Sequence, residues 1–189
     1  MKNLITTALL GLFLLTACTT LTVQTDYDTS YNFSKLKTYA WLEDKPPSDD
    51  IRINNSLIIK RVVNAVNNTL QSRGYKLVSK DKADFFVNWF GYIDNKIQQE
   101  TINTYYRHPG YATTTWEYSA FSRTYTYEYQ EGTLIIDILD ATSRQLIWRG
   151  TGQDYLEENE TPENITERIN RTVAGILNAF PPGSQPARQ

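Results

Sequence analysis

Past its first twenty residues the chain mixes short stretches of two-residue period with two longer stretches of helical period. Leu21 to Thr25 alternates apolar and polar residues and Thr38 to Leu42 is aromatic-rich, which predicts two short strands joined by a loop containing Asn32-Phe33-Ser34. Glu43 to Asp50 holds two prolines and four carboxylates, the composition of a solvated loop, with Asp49 or Asp50 placed to cap a helix. That helix is predicted over Ile51 to Arg73, where Ile59, Val63, Val66 and Leu70 recur at helical spacing, widened by Ile58, Val62 and Ala65 and stopped by Gly74. Tyr75 to Val78 reads as a short strand and Ala83 to Ile93 as a longer one. In the longer strand Phe85, Val87 and Trp89 fall on one face and Phe86, Phe90 and Tyr92 on the other, a pattern for a strand covered on both sides. Gly132 to Asp140 and Gln145 to Thr151, joined by Ala141-Thr142-Ser143-Arg144, predict a β-hairpin. Thr161 and Pro162 then open a second helix whose Ile165, Ile169, Val173, Ile176 and Phe180 form one apolar face. Pro181 and Pro182 end it, and Gly183 to Gln189 is expected to be a disordered tail. The expected architecture is a single α+β domain over residues 18–182, a mixed or antiparallel β-sheet with two amphipathic helices packed on one face.

The first seventeen residues follow a different logic. Lys2 is followed by an apolar run from Leu4 to Leu15 and then by small residues, the layout of an export signal. The run is too short for a membrane-spanning helix, which needs about 20 apolar residues. Leu15, Thr16, Ala17 and Cys18 form a lipobox-like end: a branched apolar residue, two small ones that admit a peptidase, and a thiol that can take a diacylglyceryl group. Cys18 is the single cysteine of the 189 residues, so the predicted role of that thiol is lipidation, and no internal disulfide is possible. Removal of residues 1–17 takes Lys2 with it and moves the formal charge from −2 to −3. With no basic run anywhere, nucleic acid and anionic lipid surfaces are poor partners. Thr19, directly after the lipidated cysteine, is not the aspartate that retains lipoproteins in an inner membrane, so the expected location is the outer membrane, facing the periplasm.

A family resemblance rests on motifs spread along the whole chain. These are the lipobox followed by Thr25-Asp26-Tyr27-Asp28; Asn32-Phe33-Ser34 leading to Thr38-Tyr39-Ala40-Trp41; Arg73-Gly74-Tyr75; Ala83-Asp84-Phe85; the block from Glu131-Gly132-Thr133-Leu134 to Trp148-Arg149-Gly150; and a last helix closing on Phe180-Pro181-Pro182. In this order and spacing the chain resembles the bacterial envelope lipoprotein family known as domain of unknown function 4136 (DUF 4136). The resemblance implies a cell-envelope lipoprotein with an α+β domain and implies no activity, cofactor or catalytic residue.

The unusual chemistry is aromatic. Tyr105, Tyr106, Tyr111, Trp116, Tyr118, Phe121, Tyr125, Tyr127 and Tyr129 lie within 25 residues, and they include seven of the protein's 13 tyrosines. Tyr125, Tyr127 and Tyr129 alternate with polar residues, which places three rings on one strand face. Such a row is either a landing surface for a glycan, peptidoglycan or an envelope protein, or cross-strand packing that stabilises a sheet. Arg107 to Ser119, with Gly110 and several threonines, is expected to be a loop. His108, the single histidine, cannot build a multi-histidine metal site, and no nucleophile elbow, phosphate loop or dinucleotide fingerprint occurs. The expectation is a protein without metal, cofactor or catalytic residues, bound to the membrane through Cys18 and to an envelope partner through its folded domain. A hydrolase built on two carboxylates brought together by folding is the remaining enzymatic alternative.

Overall fold

The computed structural model describes residues 21–42, 48–109 and 116–183, with the backbone alone over 102–121. The described elements are, in order, β1 (Thr22–Tyr27), β2 (Thr38–Trp41), α1 (Ser56–Ser72), β3 (Lys76–Leu77), β4 (Phe85–Pro109), β5 (Trp116–Asp140), β6 (Leu146–Leu156) and α2 (Pro162–Leu177), with 3-10 turns at Phe33–Lys35 and Lys80–Lys82. The strands make one mixed sheet in the order β1-β6-β5-β4-β2-β3. β1, β6, β5 and β4 are antiparallel neighbours, whereas β2 runs parallel to both β4 and β3. Parallel neighbours need a crossover, and α1 supplies it between β2 and β3.

Residues paired across strands share a face. The register therefore sets Val87, Ile138 and Trp148 side by side, with Trp89, Ile136 and Gly150 in the next row. This face is buried under Val62, Ala65, Val66 and Leu70 of α1 and Ile169, Val173, Ile176 and Leu177 of α2. Phe180, just past α2, closes the core by meeting Phe33, Tyr75, Phe85 and Trp148 at ring-centroid distances of 6.2, 5.6, 5.7 and 5.3 Å. The architecture is the α+β domain with both helices on one face that the hydrophobic periodicity predicts.

The two helices run parallel. Arg61, early in α1, donates to Thr166, early in α2 (3.0 Å), while Arg73, the C-cap of α1, donates to the carbonyl oxygens of Leu177 and Phe180 at the end of α2. Parallel helices place like dipole ends together, and the Arg73 guanidinium sits at the negative ends of both. The opposite, N-terminal ends of α1 and α2 both point to the end of the sheet where β6 stops.

Several boundaries differ from the sequence reading. The helix begins at Ser56, not Ile51, because the Asn55 side chain caps it by accepting from the backbone N–H of Leu57 and Ile58. Residues 51–54 instead fold back as turns, with Ile53 and Asn54 donating to the Asp50 carbonyl, and this seats Ile53 on Gly91. The second helix ends at Leu177. The strand expected over Ala83 to Ile93 continues to Pro109, and the hairpin strand expected to start at Gly132 starts at Trp116. Arg107 to Ser119 is therefore strand wherever it is described, and 110–115 and 184–189 lie outside the described residues. Cover on both faces of β4 holds at Phe85, Phe86 and Val87, where the Arg144 guanidinium lies 4.3 Å over the Phe86 ring. It does not hold at Tyr92, which is 40% exposed on the face away from the helices.

Two carboxylates pin the sheet's other end. Asp84 accepts the backbone N–H of Lys37 and Thr38, both at 2.8 Å, tying the start of β2 to β4. Asp140 accepts the Tyr31 hydroxyl (2.6 Å) and the backbone N–H of Thr142 and Ser143, and these bonds, the tyrosine's foremost, hold its carboxyl down at about 2.

The helix layer lies close to the sheet because β6 presents glycines to it. A Cβ on Gly150 would stand 2.5 Å from Ile176 and also strike the Trp148 ring, and one on Gly152 would stand 2.9 Å from Ile176 and Thr172. Gly150→Ala is expected to cost about 1–3 kcal/mol through overpacking, a fall in Tm of roughly 3–10 °C for a domain of this size, read by thermal denaturation.

Candidate functional site

β4 and β5 are each 25 residues long, yet the neighbouring strands accompany them over only part of that length. β2 leaves β4 after the Trp41 to Val87 pair, and β6 ends where Leu156 meets Gln130. Beyond Asn95 and Gln130 the two strands pair, among the described residues, only with each other, in unbroken register to Pro109 and Trp116. At strand rise this two-stranded ribbon projects about 50 Å beyond the helix-covered sheet. An isolated two-stranded ribbon is marginally stable in water, so this one needs either a partner surface or strong cross-strand pairs along it.

The tyrosine row sits on the ribbon's root. Tyr125, Tyr127 and Tyr129 pair with Glu100, Gln98 and Lys96, all on the face opposite the helices. The Tyr125 and Tyr127 rings lie 6.3 Å apart at 17°, with Tyr127 half exposed, and Tyr129 leans on Tyr155 of β6 at 5.7 Å and 30°. Tyr129, Tyr155, Gln98, Glu131 and Gln153 surround an open depression of about 240 Å³. Lys96 stands between Asp94 and Glu131 at 3.5 and 3.6 Å, and these two carboxylates raise its pKa. The other ribbon face carries Thr101 and Thr124, joined hydroxyl to hydroxyl at 3.0 Å, with Ile97 and Gln99 exposed beside them.

Of the residues proposed from sequence as a surface, Tyr125, Tyr127 and Tyr129 share one strand face. Tyr105, Tyr106, Tyr118 and Trp116 are strand positions opposite Ala120, Ser119, Arg107 and Pro109, farther out on the ribbon. Strand alternation places positions 105, 116 and 118 on the opposite face from 106, 125, 127 and 129. Tyr111, and the lipobox residues Leu15, Thr16, Ala17 and Cys18, lie outside the described residues. Tyr155 was missed by sequence reasoning. Its signal was the alternation of Gln153 and Tyr155 with Asp154, which continues the hairpin strand past Thr151.

A second hollow, about 110 Å³, opens between the N-terminal ends of the helices and the sheet, walled by Ile53, Ile58, Val62, Trp89, Leu134 and Ile169. Its carboxylate, Asp154, is buried against Arg171 (2.8 Å), and its two arginines, Arg52 and Arg168, are engaged by Asp50 and Glu160. Glu131 and Asp154 occupy adjacent levels of the sheet but opposite faces, so they do not converge on one substrate. Among the described residues no group of three or more His, Cys, Asp or Glu side chains could hold a metal ion.

The family model described as "Domain of unknown function (DUF4136)" matches residues 23–182. Among solved structures, the chain is similar to a PDZ domain protein from Parabacteroides distasonis at 16% identity and a TM-score of 0.55, covering 88% of this chain and 38% of that one. It is also similar to a DUF4136 family protein from Bacteroides thetaiotaomicron (13% identity, TM-score 0.46, 82% and 95% covered) and to the PelC dodecamer from Paraburkholderia phytofirmans (9%, 0.44, 83% and 94%). This chain spans little more than a third of the first of these proteins, and the likeness to it is one of fold. No curated protein matches.

The position of Tyr125 and Tyr127 beyond the helix-covered core carries a stability consequence. Replacing both with serine is expected to change stability by no more than about 1–2 kcal/mol, less than substitutions around Phe180, because Tyr127 is exposed and the partly buried Tyr125 packs mainly on it, outside the core. Thermal and urea unfolding of the double variant would check it.

Proposed function

The chain belongs to the DUF4136 family, whose function is unknown, and from that premise we propose that it is a non-catalytic binding module held to the cell envelope by lipid on Cys18, with the β4–β5 ribbon as its contact element. One observation carries this reading: a two-stranded, tyrosine-bearing ribbon projecting from a helix-covered sheet. No core lies beneath it, and beyond its own cross-strand pairs a surface outside the domain is what would stabilise so long a ribbon. Tyrosines suit that task, since each ring offers apolar area while its hydroxyl stays hydrogen-bonded. The tether would complement a modest contact, because two or three acyl chains anchor firmly and confine the module to one membrane, raising its effective concentration for whatever lies there. The chemical inventory favours binding over catalysis: the carboxylates of the hollow at the helix ends and of the sheet beside it are paired with basic side chains or lie on opposite faces.

In living cells, a photo-crosslinking residue at Tyr127 is expected to give a discrete adduct, and Cys18→Ala is expected to abolish it while moving the protein from the membrane to the soluble fraction. A Cys18→Ala protein that stays membrane-bound overturns the lipid anchor, and absence of any adduct at Tyr127 overturns the ribbon as contact element.

The depression between Tyr129 and Tyr155 favours a second reading, a glycan subsite, because paired rings beside Gln98, Glu131 and Gln153 offer stacking faces and hydrogen-bonding groups together. Retention on purified peptidoglycan is then expected to fall at least tenfold in Tyr155→Ser, and equal retention of both proteins would exclude it.

A further inference from the structure

We infer that the ribbon rests on the same bilayer that holds the lipid, with Tyr125 and Tyr127 in the headgroup layer; this rests on the lipid-anchored reading above and names the first surface its contact element meets. The inference comes from where the anchor leaves the domain. β1 runs antiparallel to β6, with Thr22 opposite Gln153, so the chain enters the sheet at the end where β6 stops and the ribbon begins. Leu21 is fixed there by packing on Gly175 of α2. Cys18 lies three residues upstream, a span of at most about 10 Å. The lipid therefore emerges close to the ribbon's root.

This placement limits how the domain can sit. If the ribbon pointed away from the membrane, the tether would have to double back along β1, whose six residues cover about 20 Å, twice the tether's reach. The ribbon end must instead face the bilayer or lie beside it. A projection of about 50 Å, from a root only two to three strand spacings (roughly 10–15 Å) across the sheet from the anchored strand, then meets lipid along its side.

The ribbon's composition matches the headgroup layer rather than the hydrocarbon. Residues 101–127 carry just three formal charges, Arg107, Glu117 and Arg123, among eight aromatic residues. Tyrosine and tryptophan favour the membrane–water boundary, where a ring can be apolar on one side and hydrated on the other. Each ribbon strand also has an outer edge of backbone groups with no neighbouring strand, and hydrocarbon would leave those groups unsatisfied while headgroups and water do not. The near balance of charge makes the contact independent of anionic lipid, in keeping with the absence of any basic run.

Because Cys18 is the single cysteine and lipidation consumes it, one introduced cysteine is the only free thiol of the mature protein. The full-length lipidated protein carrying Gln98→Cys, across the ribbon from Tyr127, is labelled with an environment-sensitive fluorophore. It is then reconstituted in phosphatidylcholine vesicles containing a headgroup-proximal nitroxide lipid. Asp81→Cys, exposed at the opposite end of the sheet, is the reference. Quenching several-fold stronger at position 98 than at 81 is expected, unchanged by added phosphatidylglycerol or high salt, and lost when Tyr125→Ser and Tyr127→Ser are added. Equal quenching at both positions in vesicle-bound protein overturns the inference while leaving the anchor intact. The same holds if position 98 is unquenched in vesicles and crosslinks to another protein in cells. Protein that fails to float with the vesicles and labels at Cys18 removes the anchored reading and this inference together.

Discussion

The arrangement of this domain depends on one aromatic junction. Phe180 lies beyond the last helix, and its ring is surrounded by Phe33 from the first 3-10 turn, Tyr75 after α1, Phe85 at the start of β4 and Trp148 in β6. Segments far apart in sequence are thereby closed on one point, where edge-to-face and tilted contacts add to the burial of large apolar surfaces. Arg73 stands at the same end with its guanidinium on the carbonyls of Leu177 and Phe180, and Tyr31 reaches Asp140 nearby. The core's large aromatic rings other than Trp89 are thus gathered at one end of the sheet.

The consequence at the other end is freedom. With the helices seated by Gly150 and Gly152 over the middle of the sheet, β4 and β5 run on past the region the helices cover. Backbone pairing alone carries them outward, and the side chains they present answer to the surroundings rather than to a core. The tyrosine pairs at the root serve both ends of this arrangement. Tyr129 and Tyr155 brace the point at which three strands become two, whereas Tyr125 and Tyr127 continue the row into solvent.

The same topology couples the ribbon to the predicted anchor. β1 is an edge strand of six residues whose first residue lies level with Thr133 and Tyr92, three residues short of the ribbon's root, so a tether on Cys18 would leave the domain at the ribbon's end of the sheet. A membrane attachment at the opposite end of β1 would point the ribbon away from the bilayer; the proposed attachment at this end would turn it toward the lipid. Sequence order alone contains no such information, since Cys18 and Tyr127 are separated by most of the chain.

The periodicities of Ile59, Val63, Val66 and Leu70 and of Ile165, Ile169, Val173 and Ile176 made both helices legible, and apolar runs at Phe85 to Trp89 and Ile135 to Ile138 made the central strands so, because one buried face imposes a repeat on the residues that fill it. The lipobox-like pattern at Leu15 to Cys18 and the Tyr125-Tyr127-Tyr129 alternation are likewise local and read directly from the chain. The ribbon's length was not legible: over 94–101 and 122–130 no side chain is buried, so threonine, glutamine and tyrosine can alternate there without a hydrophobic stripe, and Gly110 with its threonines resembles loop in sequence. α1 starts later than the sequence predicts because Asn55, not Asp49 or Asp50, caps it, while 51–54 form turns that place Ile53 on Gly91. The pairing of Tyr129 with Tyr155, the parallel run of the helices and the exit of the N-terminus beside the ribbon were decided only by the tertiary structure, because register, helix direction and strand order are set by contacts between residues distant in the chain.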